Sequence, residues 1–367
     1  MSKTFICDHC GEEYSEEELN SVGEDLLCND CIVDNTVVCS RCGERIYLDD
    51  DAGDNNTPLC QRCYDRFFTT CEDCGRVILQ DDAYYESDDD YEARCYPCHC
   101  RHHGDRYIHD YYYKPEPIFY GDGNRYFGVE LEIDGAGESE KNAKTLCDLV
   151  NHSDVLIYMK HDGSLDDGME IVTFPLSLEY HLKKMPWNDL LTKARELGYI
   201  SHKACTCGLH VHVNRTAFGV SESEQDECIA RVLYFFEKHW EELLKFSRRT
   251  RSQLDQWAAR YGLKEHPKDI LDHAKGNWER YTCVNLTNRQ TIEFRMFRGT
   301  LKLNTLIATL QLLDRICDAS LFLSDEEIKA MSWTTFVASC SHLPELVQYL
   351  KERRLYVNEP VSAEAEV

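Results

Sequence analysis

The chain has 367 residues, 43% of them apolar, and its 66 Asp+Glu against 40 Lys+Arg give a formal net charge of −26. Such an acid excess repels nucleic-acid phosphate and excludes nucleic-acid binding as the main role, and no run approaches the ~20 apolar residues of a membrane span. Twenty cysteines, with no apolar leader at the Met1-Ser-Lys-Thr4 start, predict a cytoplasmic protein in a reducing compartment.

The first hundred residues repeat. C-x-x-C pairs fall at Cys7/Cys10, Cys28/Cys31, Cys39/Cys42, Cys60/Cys63, Cys71/Cys74 and Cys95/Cys98, and the leading pair recurs every 32 residues. Each repeat carries four thiols, the ligand set of one tetrahedral Zn²⁺, which predicts three four-cysteine zinc modules over residues 1–36, 37–69 and 70–104. Local pairs suggest ligation within a repeat, although sharing between repeats satisfies the same count. Cys100 is left over, and His9, His99, His102 and His103 are spectators where four sulfurs suffice. A disulfide framework is the rival reading. The modules resemble zinc ribbons or treble clefs of the LIM type, with an all-cysteine set in place of the LIM histidine. Units this small cannot bury a core, so metal supplies their folding free energy and recognition is their expected role. With 7 Lys+Arg against 25 Asp+Glu in residues 1–100, a basic protein surface is the predicted partner.

Residues 105–125 form a Tyr/Pro-rich connector, too aromatic for a disordered linker and too proline-rich for a helix, expected to pack along the following domain. From 126 to 358 the chain is long enough for one sizeable core. Four strand-like segments carry polar chemistry on one face: Phe127–Ile133, 168–172, 208–213 and 291–297. Side chains two apart share a face of a strand. Glu130 therefore aligns with Glu132, Glu170 with Val172, His210 with His212, and Glu293 with Arg295, while Val129, Leu131, Met169, Ile171, Leu209, Val211, Ile292, Phe294 and Met296 face a core. A polar strand face is by default a solvated one, but such faces use lysine, and these four segments contain none. Carboxylates, imidazoles and guanidinium on one wall suit divalent cations and phosphate.

Helices are expected near 139–152, 177–198, 304–318 and 332–351, and a capping box at Ser221-Glu-Ser-Glu224 opens another whose Ile229, Val232, Phe236, Trp240, Leu243 and Leu244 form an apolar stripe. The tail 359–367 reads as disordered. The fold class is α+β, an antiparallel sheet backed by helices and preceded by the three small modules.

Five signatures in order resemble the amidoligases, relatives of glutamine synthetase among the carboxylate-amine ligases. They are Phe127-Gly-Val-Glu-Leu-Glu132; Asp162-Gly-Ser-Leu165 with Gly168-Met-Glu-Ile-Val172; Cys207-Gly-Leu-His-Val-His212; Arg280-Tyr with Asn285-Leu; and Thr291-Ile-Glu-Phe-Arg-Met-Phe-Arg-Gly-Thr300. The resemblance covers roughly residues 126–318. It implies a glutamine-synthetase-like domain that uses ATP and Mg²⁺ or Mn²⁺ to join an acid and an amine, on a peptide or protein, through an acyl phosphate with release of ADP. Glu132 and Glu170 would then serve the ion nearer the acid, and Glu130, His210 and Glu293 the ion bridging the nucleotide phosphates. Arg280, Arg295 and Arg298 would clamp phosphate. Asp162 and Ser164 form either a plain turn or a substrate contact, and His212 and Asn285 are read as supporting or nucleotide-binding groups. Cys205 and Cys207 stand just before the histidines, where a zinc pair or a thiol nucleophile could be read, but the resemblance implies neither. A metal-dependent hydrolase, turning over without ATP, and a zinc-dependent adaptor are the alternatives.

Overall fold

The computed structural model describes residues 4–23, 25–54, 57–85, 91–95, 98, 106–152, 154–277 and 279–356. Cys100, His99, His102, His103 and the tail 359–367 lie outside the described residues. The chain divides into two compact units: Met1–Arg106 with Tyr112–Lys114, and Tyr107–Tyr111 with Pro115–Val367.

In the first unit each repeat opens on a hairpin that carries its first C-x-x-C pair at the tip: β1 (Thr4–Ile6) with β2 (Glu13–Ser15), β5 (Thr36–Val38) with β6 (Arg45–Tyr47), and β7 (Phe68–Thr70) with β8 (Val77–Leu79). Glycine follows each tip pair for a geometric reason. Gly11, Gly43 and Gly75 take φ of 76°, 75° and 69°, the left-handed region closed to most side chains. Their N–H groups donate back to the carbonyls of Cys7, Cys39 and Cys71 at 2.8–2.9 Å. The second pair of the first two repeats lies at the start of a short helix, α1 (Asn29–Asn35) or α2 (Gln61–Phe67), and in the first repeat a second hairpin, β3 (Leu19–Val22) with β4 (Asp25–Cys28), precedes it. The cores are little more than the sulfurs: Cys7, Cys28 and Cys31 cluster with Val22 and Leu27.

The second unit is built on a seven-stranded sheet in the order β14-β15-β13-β10-β12-β11-β9. Its strands are β9 (Ile108–His109), β10 (Phe127–Ile133), β11 (Ile157–Lys160), β12 (Met169–Thr173), β13 (Gly208–Asn214), β14 (Val284–Asn285) and β15 (Thr291–Arg298). The expectation of an antiparallel sheet is corrected at one edge, where the connector supplies β9 and runs parallel to β11. All the side chains assigned to the core face are buried to within 1% of full exclusion from solvent. Helices cover that face, among them α3 (Glu140–Val150), α4 (Leu178–Lys183), α5 (Trp187–Glu196), α6 (Glu222–Lys238) and α7 (Trp240–Ser247). Phe236 of α6 stacks on Phe294 at 5.4 Å, and Phe246 of α7 meets Phe297 edge-on at 6.0 Å.

Two expected helices are each broken in two by a proline, which has no N–H to give the preceding turn. Pro186 separates α4 from α5. In the C-terminal stretch, after α8 (Arg251–Trp257), α9 (Pro267–Lys275), α10 (Leu303–Phe322) and α11 (Asp325–Ala330), Pro344 starts a new helix, so that α12 (Trp333–Ser339) and α13 (Pro344–Glu352) replace one segment. The capping box at Ser221 is present as read, with Ser221 and Glu224 bonded reciprocally. The apolar stripe behind it is buried except for half-buried Leu244, but it spans two helices: α6 ends at Lys238, and Trp240, Leu243 and Leu244 lie on α7.

Candidate active site

Register brings the polar residues together. Across β10, Glu130 is paired with His210 of β13 on one side and Val172 of β12 on the other, and Glu132 is paired with Glu170. Further out His212 pairs with Glu293, Glu293 with Asn285, and Glu170 with Lys160. Side chains directly opposite across strands share a face, so the wall is continuous from β15 to β11. Glu132, Glu170 and Glu293 are each 4% exposed and His210 is 6% exposed, which is not the burial of a solvated face. The His210 ring is central: Nδ1 lies 3.7 Å from Glu130 and 3.8 Å from Glu293, and Nε2 lies 3.7 Å from Glu132.

Ligand atoms of Glu130, Glu170 and His210 fall within 4.8 Å of one another, and so do those of Glu130, His212 and Glu293. This grouping adds one residue to the expected donors. Glu132 is held at one oxygen by the Gly208 N–H. His212, read only as a supporting group, is brought into a donor cluster. Its Nδ1 is 3.0 Å from Thr291 Oγ1, and its buried Nε2 has no hydrogen-bond partner despite lying 3.1 Å from Glu130. An imidazole anchored through one nitrogen with the other bare toward carboxylates is how histidine is presented to a metal. The residues therefore fit a divalent cation with mixed oxygen and imidazole donors.

The electrostatics are uneven. Burial pushes the Glu170 carboxyl well above the carboxylate range, and the charge of Glu130 adds to this while Lys160, 3.8 Å away, opposes it. Burial acts on Glu130 too, but His212 and His210 hold it well below the usual range. Burial lowers His212, yet Glu130 and Glu293 outweigh it and raise the imidazole. Carboxylates with opposite proton affinities side by side are typical of sites built to bind charge rather than to carry it unfilled.

Beside the wall opens a cavity of about 190 Å³ whose lining includes Glu132, His210, Asp162, Ser164, Arg280 and Arg295. The Ser164 N–H donates to the Asp162 carboxylate at 2.7 Å, closing the turn that carries both. Arg295 donates to Glu293. Arg280 lies 5.4 Å over the Tyr111 ring and 5.0 Å over Tyr281. Asn285, 2% exposed, donates to Glu293 at 2.8 Å and does not line the cavity. Cys207 is buried and its thiol is pushed up to about 12, chiefly by burial, which makes it a poor nucleophile; Cys205 is exposed.

Arg298 reaches the wall by a route that alternation does not give. Parity along β15 puts it with Phe294 and Met296. A bulge opposite His210 shifts the phase, so Phe297 pairs with Leu209 in the core and Arg298 pairs with Gly208. Position 208 faces the wall, since a Cβ added there would lie 2.6 Å from His210 Nε2.

Three contributors were missed in the sequence. Lys160 sits two residues beyond Tyr158 on β11 and could have been found by alternation. Arg249 also lines the cavity, with its Nε buried and without a partner; burial lowers its pKa, Arg295 and Arg298 lower it further and Glu132 opposes them. It follows α7 in a loop, where no periodic signal exists. Asp134 accepts from the N–H groups of Gly135, Asp166 and Asp167 and from the Thr206 hydroxyl, tying the end of β10 to both loops that edge the site.

In the other unit the sulfurs of Cys7, Cys10, Cys28 and Cys31, of Cys39, Cys42, Cys60 and Cys63, and of Cys71, Cys74, Cys95 and Cys98 form three groups, each within 4.8 Å and each drawn from one repeat. These are four-cysteine clusters consistent with zinc-ribbon modules.

Residues 124–317, more than half of the chain, match the family described as "Putative amidoligase enzyme". The chain belongs to the amidoligase family, and membership places it among amide-bond-forming ligases. No curated protein matches it. No helix among the described residues is long and apolar enough to cross a membrane.

Proposed function

We propose that residues 126–358 form a glutamine-synthetase-like catalytic domain that joins a carboxylate and an amine at the expense of ATP, with ADP and phosphate as products. The observation that supports this reading best is the meeting of Glu130, Glu132, Glu170, His210 and Glu293 on one buried wall beside a cavity edged by arginines. A carboxylate is a poor electrophile because it must expel an oxide, and phosphorylation to an acyl phosphate supplies the leaving group.

ATP and its divalent cations, when bound, supply the phosphoryl group and neutralise its charge. Glu130, Glu132, Glu170, His210, His212 and Glu293 are the donors for those cations. Arg295, Arg298, Arg280 and Arg249 supply fixed positive charge for the moving oxygens, and their planar donors match phosphate bidentately. Asp162 and Ser164 sit where an incoming acid or amine would contact the cavity, and Asn285 orients Glu293. The four-cysteine modules bind structural zinc and recognise a partner, and their −18 charge favours a basic protein surface.

The direct test supplies Mg²⁺ or Mn²⁺, ATP, a panel of acids and hydroxylamine as the amine, and follows ADP, phosphate and hydroxamate. ADP release that requires both acid and amine, and that Glu132→Gln abolishes, is the expected result. AMP with pyrophosphate, or turnover without nucleotide, rejects the reading.

A further inference from the structure

A second cavity, of about 620 Å³, adjoins the first and is separated from it by Arg249, which lines both. Its walls bring Lys245 and Arg248 from the end of α7, Arg249 from the loop beyond, Arg298 from β15 and Arg353 from the end of α13. Four guanidinium groups and an ammonium thus face one ligand-sized space. In a chain with a net charge of −26 this is a local inversion of sign.

The cations have no ion pairs of their own, and only the charge of Glu132 acts on Arg249 from the wall. Among the described residues no carboxylate comes within ion-pairing distance of any of the five, and the one acidic side chain in the lining, Glu241, is paired with Arg251 at 2.6 Å. Their observed partners are neutral: Arg353 donates to the Lys245 carbonyl at 2.7 and 2.9 Å, Lys245 to the Arg354 carbonyl at 3.1 Å, and Arg298 to the Cys205 sulfur at 3.6 Å. Nε of Arg249 and of Arg298 is buried with no partner. Holding like charges together without counter-ions costs free energy unless an anion completes the site.

The type of anion follows from what surrounds the cations. The smaller cavity has the metal donors and two rings, Trp257 and Tyr281. The basic cavity has no aromatic platform for a base, its one carboxylate, Glu241, is already paired with Arg251, and its apolar lining is Leu244 alone. It therefore suits several spaced carboxylates better than a nucleotide.

We infer that the acid partner of the ligation is an acidic peptide: one carboxylate passes Arg249 to react at the wall while its neighbours dock on Arg248, Arg353 and Lys245. This rests on the ligase reading for the reaction, but the docking can be measured without turnover. Arg353 lies outside the span that matches the family, whereas Lys245, Arg248, Arg249 and Arg298 lie inside it.

The experiment is fluorescence anisotropy of labelled hexaglutamate with the full chain at low salt and without nucleotide. The expected result is binding that weakens as salt rises, is absent for labelled hexaglutamine, and falls at least tenfold in the double variant Lys245→Glu/Arg353→Glu. The milder pair Lys245→Gln/Arg353→Gln, checked for an unchanged thermal midpoint, should show a smaller loss. No binding of hexaglutamate, equal binding in the charge-reversed variant, or a loss confined to inorganic tripolyphosphate overturns the inference. Hexaglutamate binding together with AMP and pyrophosphate release, or with turnover that needs no nucleotide, would support the docking site and reject the ligase reading.

Discussion

His212 Nε2 faces Glu130 Oε1 at 3.1 Å without hydrogen-bond geometry, while the opposite ring nitrogen rests on Thr291. If this bare nitrogen is a metal donor, His212→Gln should weaken Mn²⁺ binding by about tenfold or more, the scale on which disturbing a metal's surroundings acts. Mg²⁺, which prefers oxygen, should lose less. Calorimetric titration of the substrate-free protein with each ion measures this, and an unchanged Mn²⁺ affinity would remove His212 from the ligand set.

Gly208 allows a close approach that no larger residue can share. A Cβ there would stand 2.6 Å from His210 Nε2 and 2.7 Å from an Arg249 terminal nitrogen. Gly208→Ala should therefore displace both groups and reduce turnover by about 10²-fold, the usual effect of a small misplacement at a reacting centre. Circular dichroism should remain that of the parent. Retained activity would show that His210 and Arg249 need no fixed position.

Acid stability should depend on His181. The Trp187 indole can only donate, so Nδ1 of His181 accepts from it at 3.2 Å and Nε2 carries the proton given to the Phe127 carbonyl at 3.0 Å. Burial lowers this histidine from its ordinary 6.5 to about 4. Below pH 6.5 the unfolded chain takes up a proton that the folded ring refuses until about pH 4, so stability is full above this window and falls as the pH drops through it. The loss should reach about 3 kcal/mol. Denaturant unfolding at stepped pH measures the slope, which His181→Gln should flatten; His109 and His239, also lowered to about 4 mainly by burial, would retain a share of it.

Zinc content offers an independent check on the repeats. Metal analysis should give three zinc ions per chain, and Cys39→Ser should remove one of them. Burial pushes Cys7, Cys39 and Cys71 up, but backbone N–H donors of their own knuckle and of the facing cysteine bring each to about 6. Zinc binds the thiolates and competes with protons for them, so zinc should be released on acidification rather than in alkali. Zinc lost in alkali but retained on acidification would contradict this.

Much of this arrangement was legible because strands have a period of two. Glu130 with Glu132 and His210 with His212 are readable as soon as the segments are taken as strands, and burial of the alternate apolar set follows from the same count. Pairing between strands is what alternation cannot give: that His212 would enter a donor cluster with Glu130 and Glu293 depends on which residue lies opposite Glu293. Arg249 was hidden because a loop has no period. The broken helices were readable, since Pro186 and Pro344 stand at the breaks. The edge strand β9 was not, because two residues from a tyrosine-rich connector carry no pattern.

The bulge in β15 also affects how related chains should be aligned. Losing the extra residue opposite His210 would keep Phe297 dry and Arg298 beside the cavity, so a one-residue gap there would be silent for the chemistry. The same gap placed a few positions earlier would turn over the side chains between it and the bulge, Glu293 among them. Length differences in this strand are therefore informative only when their location is known.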